Sequence, residues 1–190
     1  MARPSVADER TTQIVEATIR AIGIHGITGA SLDRIAEEAG MSRGHVRHFV
    51  GNREQLLRVS ARRFYYDGTE GTSILPAGTD TVASALDHLF GDAFAAPGRE
   101  NAVVLGFVEA ARTDPELAQL IVDAYRGTHD LIARLIAVEH PSATPAECES
   151  TAYGVVAIAL HNVFLSDIVS AATGTAEARA TAERLIAALP

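Results

Sequence analysis

The stretch Ser31-Leu32-Asp33-Arg34-Ile35-Ala36-Glu37-Glu38-Ala39-Gly40-Met41-Ser42-Arg43-Gly44-His45-Val46-Arg47-His48-Phe49-Val50 decides the fold. Leu32, Ile35, Ala36 and Ala39 recur at helical spacing and write one short amphipathic helix. Gly40 follows. Glycine takes positive φ at no steric cost, which suits a sharp turn into a second helix. Ser42 stands where the N-cap of that second helix belongs, and Val46 and Phe49 face the same small core. Arg43, His45, Arg47 and His48 are left on the outward face, as side chains suited to phosphate oxygens and base edges. The pattern reads as a helix-turn-helix.

The charge distribution agrees. A net charge of −8 over 190 residues would oppose a nucleic-acid partner if it were evenly spread. Residues 1–63 hold ten arginines against seven acids, whereas residues 64–190 hold six against seventeen. Between residues 43 and 63 six arginines meet one acid, Glu54. A basic N-terminal module on an acidic body fits docking on phosphate through one end. All sixteen cationic residues are arginine. Genome composition is the first cause of that bias, although arginine also suits bidentate phosphate contacts.

Apolar residues make up 47% of the chain, enough for a sizeable core and against global disorder. The single cysteine, Cys148, excludes an internal disulfide and a cysteine-only metal site, and agrees with a reducing cytosol. Residues 1–12 are polar, so no signal peptide is expected. The most apolar run, 152–160, is interrupted by His161 and Asn162, short of the roughly 18 residues of a membrane span. A soluble, cytoplasmic protein with no membrane segment is the expectation.

No strand pattern, repeat or low-complexity segment stands out, and about nine helices are predicted. The first covers about 8–24, with Ile14, Ala17, Thr18, Ala21 and Ile22 inward. Asn52 and Gln55 form a capping-box-like start for a fourth helix carrying Leu56, Leu57, Phe64 and Tyr65. Residues 68–78 read as a loop. Helices are predicted from about 80 to Pro97-Gly98 and over 101–112. Asp114-Pro115 opens another running to about 139, where His140-Pro141 stops it. Thr144-Pro145-Ala146-Glu147 opens a long helix to about 169, and the last covers 176–189.

These residues resemble the TetR family of bacterial one-component regulators. Ile14, Ala17, Gly26, Leu32, Ile35, Ala36, Ala39, Gly40, Ser42, Gly44, Val46, Asn52, Arg53 and Leu56 fall where the family pattern has such residues. The resemblance implies an all-α fold with a DNA-binding domain at 8–54 and a helical effector-binding and dimerisation domain at 55–190. Two departures stand out. Arg47 and His48 replace a common aromatic pair whose tyrosine touches phosphate, and Arg47 offers a charge-assisted contact there. Val50 stands at the usual phenylalanine, with Phe49 just before it.

The implied DNA-contacting residues are Thr28, Ser31, Ser42, Arg43, Gly44, His45, Arg47, His48 and Arg53. Arg43 and His45 sit in the first turn of the recognition helix, where base edges are read. Thr28 and Ser31 lie around the start of the helix before it, where a hydroxyl caps the helix or meets a phosphate. Arg53 occupies a position against the DNA backbone. One small module reads too few bases alone, so a homodimer on a palindromic operator is expected. The interface is expected on the final two helices, from Ala152, Gly154, Val155, Ala157, Ile158 and Ala159 with Ala180, Leu185, Ile186 and Leu189, which would let a partner helix approach closely. The middle helices are expected to hold a small-molecule effector, with His88, Phe94, Phe107, Tyr125, His129, His161 and Phe164 as candidate lining residues.

The function expected is that of a transcriptional regulator, a repressor released from DNA by its effector. No cofactor or metal is implied. H-E-x-x-H, C-x-x-C, glycine-rich phosphate loops and G-x-S-x-G elbows are all missing from the sequence, which argues against an all-α enzyme. A helical interaction scaffold with a vestigial DNA module is the rival reading. It differs by lacking the steep salt dependence of phosphate binding.

Overall fold

Ile14, Val15, Ala17, Thr18, Ala21 and Ile22 form the buried stripe of helix α1 (Val6–Gly29). The helix is interrupted at Gly26, whose φ of 68° and ψ of 172° belong to a region essentially closed to residues with a Cβ. That break explains why the periodic pattern runs out near residue 24. Helix α2 (Leu32–Glu38) starts from Ser31, whose Oγ accepts the Arg34 amide at 3.3 Å.

At its end Gly40 adopts φ 63°. The Gly40 amide donates to the Glu37 carbonyl at 3.0 Å, and the Met41 amide to Ala36 at 2.9 Å. These paired bonds satisfy carbonyls that a helix terminus leaves open. The Gln13 amide of α1 takes the Ala39 carbonyl at 2.7 Å, tying the turn to the first helix.

Helix α3 (Arg43–Val50) is capped as expected, with Ser42 Oγ accepting the His45 amide at 3.3 Å. Its inward residues are Val46 and Val50. They lie one turn apart, so the helical repeat brings both to the core. Phe49, expected inward, is half-buried at the margin and meets His48 edge-on at 5.2 Å. Helix α4 (Arg53–Tyr66) begins from the reciprocal pair foreseen, the Asn52 amide to Gln55 Oε1 at 3.1 Å and the Gln55 amide to Asn52 Oδ1 at 2.8 Å.

The computed structural model describes residues 6–66, 73–95, 98–168 and 174–190. Among them the remaining elements are α5 (Val82–Leu89), the four-residue α6 (Asp92–Ala95), α7 (Arg99–Ala111), α8 (Pro115–Glu139), α9 (Pro145–Ile168) and α10 (Thr175–Ala187). The described residues thus contain nine helices of seven residues or more, one short turn of helix and no strand. A single helix was expected from 80 onward. It divides at Gly91, where a Cβ would come within 2.3 Å of the Asp87 carbonyl oxygen. Part of the predicted 68–78 loop and the ends near 97 and 169 lie outside the described residues.

The chain forms two compact units. In the first, α1–α4 are joined by α7 and the start of α8. Helices α1 and α7 come together at Gly106, where a Cβ would sit 2.8 Å from Ile22 Cγ2. Beside it Phe107 is fully buried, with Phe64 at 5.9 Å and Tyr65 at 6.3 Å between ring centres.

Arg58 of α4 donates through Nε to both carboxylate oxygens of Asp114, at 2.8 and 3.0 Å, and through Nη1 to Glu116. Asp114 Oδ1 also accepts the Glu116 and Leu117 amides at 3.1 Å, capping α8. The Arg58 hydrogen bond, aided by these amides, holds the Asp114 carboxyl below its ordinary pKa. A depressed carboxyl stabilises the fold above its unfolded value and loses that contribution as pH falls through the folded value. Thermal melts from about pH 6 to about pH 3 should therefore fall more steeply for the native protein than for Asp114→Asn, since the carboxylate range lies in that window. The asparagine keeps one oxygen as the cap acceptor and loses the titratable charge together with the second acceptor for Arg58. Equal slopes would show that the pair contributes nothing through its charge.

The second unit closes around Leu75, Leu86, Leu89 and Phe90 against Ile132 and Ile136 of α8, Cys148, Ala152, Val155, Val156 and Ala159 of α9, and Ala182 and Ile186 of α10. The Thr144–Glu147 capping box opens α9, with the Thr144 amide 2.7 Å from Glu147 Oε2. Residues 145–166 are long and apolar enough, by length and composition, to cross a membrane. Those named α9 residues, however, are spent on this core.

Candidate nucleic-acid interface

The local rules that build α3 also sort its side chains. Ser42 and the Gly40 turn fix where the helix starts, and Val46 and Val50 fix its rotation about its axis. Arg43, Gly44, His45, Arg47 and His48 are then all exposed, with Arg43 and Arg47 one turn apart on the same side. Thr28 and Ser31 are exposed on the neighbouring segment. The hydroxyls of Ser31 and Ser42 are engaged as helix caps.

The three arginines differ in what holds them. Arg43 Nη1 donates to both oxygens of Asp33 on α2, at 3.0 and 3.3 Å. Arg53 is half-buried and donates to the Ile27 carbonyl, so it fastens α4 to the end of α1 as well as facing outward. The Arg47 side chain has no hydrogen bond or ion pair among the described residues, and neither does that of His45. Arg47 is therefore the uncommitted cation of the helix.

A groove of about 680 Å³ within the first unit brings Thr28, Ser31, Arg43 and Arg53 together with Asp33, Arg58 and Asp114. Gly44, His45, Arg47 and His48 lie on α3 outside its lining. Asp33 and the Arg58–Asp114 pair were not singled out in the sequence. Each depends on residues far apart in the chain meeting in space, and no local pattern marks that.

Of the proposed effector residues, Phe107 belongs to the core of the first unit, while His88, Phe94, Tyr125, His129, His161 and Phe164 belong to the second. His88, Phe94, Tyr125, His129 and Phe164 are half-buried; His161 is exposed. Burial pushes the His88 and His129 imidazoles below their ordinary pKa, against a weaker upward pull from Asp130 on His129. His88 lies 5.5 Å from the Phe94 ring and His129 lies 5.4 Å from Tyr153.

The expected dimer face needs correction. Ala152, Val155 and Ala159 are fully buried inside the protomer. The small residues of α9 admit α10 of the same chain, with Leu185 seated over Gly154, where a Cβ would be 2.6 Å from Leu185 Cδ2. Ile158 and Leu189 are half-buried, and Leu185 is 38% exposed. The outward stripe of α9 is instead Tyr153, Ala157, His161 and Leu165, at successive turns.

Comparison with known proteins agrees with this geometry. Residues 14–59 match the family described as bacterial regulatory proteins, tetR family. The HTH-type transcriptional regulator BetI of Agrobacterium fabrum is 30% identical over 131 residues, 66% of this chain and 63% of that protein, so the match spans a little under two thirds of the relative's length. The HTH-type transcriptional regulator PksA of Bacillus subtilis is 46% identical over 55 residues, 29% of this chain and 27% of that protein. A TetR family regulator from Cytophaga hutchinsonii aligns at TM-score 0.77 and 17% identity, over 99% of this chain and 98% of its own, which is a likeness of fold. With the capped turn, the outward cations and these matches together, residues 14–59 are a DNA-binding domain of the TetR family of bacterial regulatory proteins, and the chain has the fold of that family's solved members.

Proposed function

We propose that the protein is a cytoplasmic, homodimeric repressor that holds a palindromic DNA operator through α3 and releases it when a small molecule occupies the second unit. The observation that carries this reading is the exposed set Arg43, His45, Arg47 and His48 on a helix whose start and rotation are fixed by capping and burial. Such a helix offers cations to phosphate and donors to base edges, while the acidic remainder of the chain repels DNA. Domain 8–54 supplies the contact, with Thr28, Ser31 and the α4 start at Arg53 beside it.

Selection from random duplex DNA tests the proposal. Enriched sequences should be palindromes with half-site centres about one helical turn, or a multiple of it, apart. Recovery of no enriched sequence at low salt would overturn it.

A second copy is proposed to cover Tyr153, Ala157, His161 and Leu165 of α9 together with Leu185 of α10. Tyr153 is 65% exposed and Leu165 46% exposed, large apolar surface for a single chain to leave in water. Tyr153→Asp should convert a dimer to a monomer at micromolar concentration, read by light scattering. A native protein that is already monomeric would remove this part of the proposal.

The effector site is proposed among His88, Phe94, Tyr125, His129 and Phe164, while His161, exposed on the outward stripe of α9, goes with the second-copy surface instead. Imidazoles kept neutral beside aromatic rings suit an apolar or aromatic ligand with a hydrogen-bonding group. Release requires that the ligand favour one conformation over another. Ligands that raise the melting temperature should therefore also weaken operator binding.

A further inference from the structure

We infer that Asp33 is a specificity-determining residue of the DNA interface, acting through Arg43. The inference rests on the DNA-binding reading above and goes beyond it by giving a role to a carboxylate on the reading face.

Asp33 is an unexpected residue there. Its side chain is 68% exposed, and DNA phosphates approaching α3 would meet its charge. Its position in the first turn of α2 is favourable to that helix, but an exposed ion pair with Arg43 adds little to stability. The geometry shows what else it does. Both Asp33 oxygens lie within 3.3 Å of the same nitrogen, Nη1 of Arg43, which leaves Nε and Nη2 without a partner among the described residues. The guanidinium is thus held at one corner and open along the rest of its edge.

Two consequences follow for binding. A phosphate that recruits Arg43 must first compete with a carboxylate already at 3.0 Å, so loose, sequence-independent contacts through this arginine are suppressed. In the major groove the held guanidinium presents donors for guanine O6 and N7, while Asp33 retains lone pairs for an amino group of cytosine or adenine. Donor and acceptor held side by side read more than either alone. Asp33 therefore lowers affinity for DNA at large and raises discrimination for the operator.

The test uses the full-length protein, the operator found by selection and a scrambled duplex of the same length. Asp33→Ala should bind the scrambled duplex about 3-fold to 10-fold more tightly at low salt. Its salt slope should steepen by about one per protomer as Arg43 turns to phosphate. The ratio of operator to scrambled affinity should fall about 10-fold or more, and base preference should broaden at one position of each half-site. Asp33→Asn keeps an acceptor without the charge and should retain part of the discrimination. In an Arg43→Ala background Asp33→Ala should alter preference at that position far less than in the native protein, a non-additivity expected of coupled residues.

Melting temperatures should stay close to the native value, because the pair is exposed. Equal changes in operator and scrambled affinity, or full additivity with Arg43→Ala, would overturn the role of Asp33. Failure of the native protein to bind any duplex would overturn the parent reading instead, and that arm is read before the variants.

Discussion

Arg47→Ala is expected to weaken binding to every duplex by about 25-fold per dimer near physiological salt, and to flatten the slope of log affinity against log salt by about two. The size follows from counterion release. Each phosphate neutralised contributes close to one unit of slope, worth ~5-fold at these salt concentrations, and a dimer carries two copies. Arg47 is the right residue for a clean measurement. Its side chain is exposed and has no partner among the described residues, so its removal breaks nothing in the fold. Alanine is moreover the most favourable residue in a helix interior.

The other cations on this surface respond differently. Removing Arg53 also loses its bond to the Ile27 carbonyl, and removing Arg43 releases Asp33. Fluorescence anisotropy with operator and scrambled duplexes, from about 50 to about 300 mM salt, separates the cases, since slopes of this kind report phosphate contacts. A loss confined to the operator with an unchanged slope would mean that Arg47 reads a base instead. No change at all would remove Arg47 from the DNA interface.

The legible parts of this fold are those written over three or four consecutive residues. Ser42, the Asn52–Gln55 pair, Asp114-Pro115 and the Thr144–Glu147 box each make the bonds their spacing implies, because a cap is completed within one helical turn. Gly40 was legible for the same reason: a turn between two short amphipathic helices needs positive φ, and it has it. One-residue ambiguities were harder. Phe49 and Val50 are both apolar and adjacent, and only packing against the rest of the module chooses Val50 for the core.

The break at Gly91 depends on where the Asp87 carbonyl points, which hydrophobic periodicity does not record. Small residues on α9 announce a close neighbour without saying which. Here α10 of the same chain fills that side, and the large apolar residues that α9 leaves exposed are Tyr153 and Leu165. At the site, outward cations on α3 follow from its amphipathic pattern. What restrains them does not, because Asp33 is ten residues from Arg43 and on another helix.

Phe107→Ala is expected to cost about 3–5 kcal/mol of stability, the range for truncating a buried aromatic side chain. The residue has no exposed surface and sits in the first unit against the Phe64 and Tyr65 rings, next to the Gly106 contact with Ile22 and Ile27. Backbones that already approach so closely there have little room to collapse into the vacated volume, which favours the upper part of that range. Against a total stability of ~5–15 kcal/mol for a typical domain, the loss is a large fraction.

It falls on the DNA-binding end of the chain, because α1 supplies the wall on which α2–α4 rest. Denaturant midpoints should therefore drop sharply, while the protein that remains folded at low temperature binds operator with an unaltered salt slope. Phe107→Leu keeps most of the volume and should recover much of the loss, since swaps between apolar residues of similar size are tolerated best. The effector-lining expectation for the same residue makes the opposite forecast: a normal melting temperature with loss of the ligand-induced shift. A change below ~1 kcal/mol in Phe107→Ala, far under the usual cost of such a truncation, would decide for the pocket and against the core.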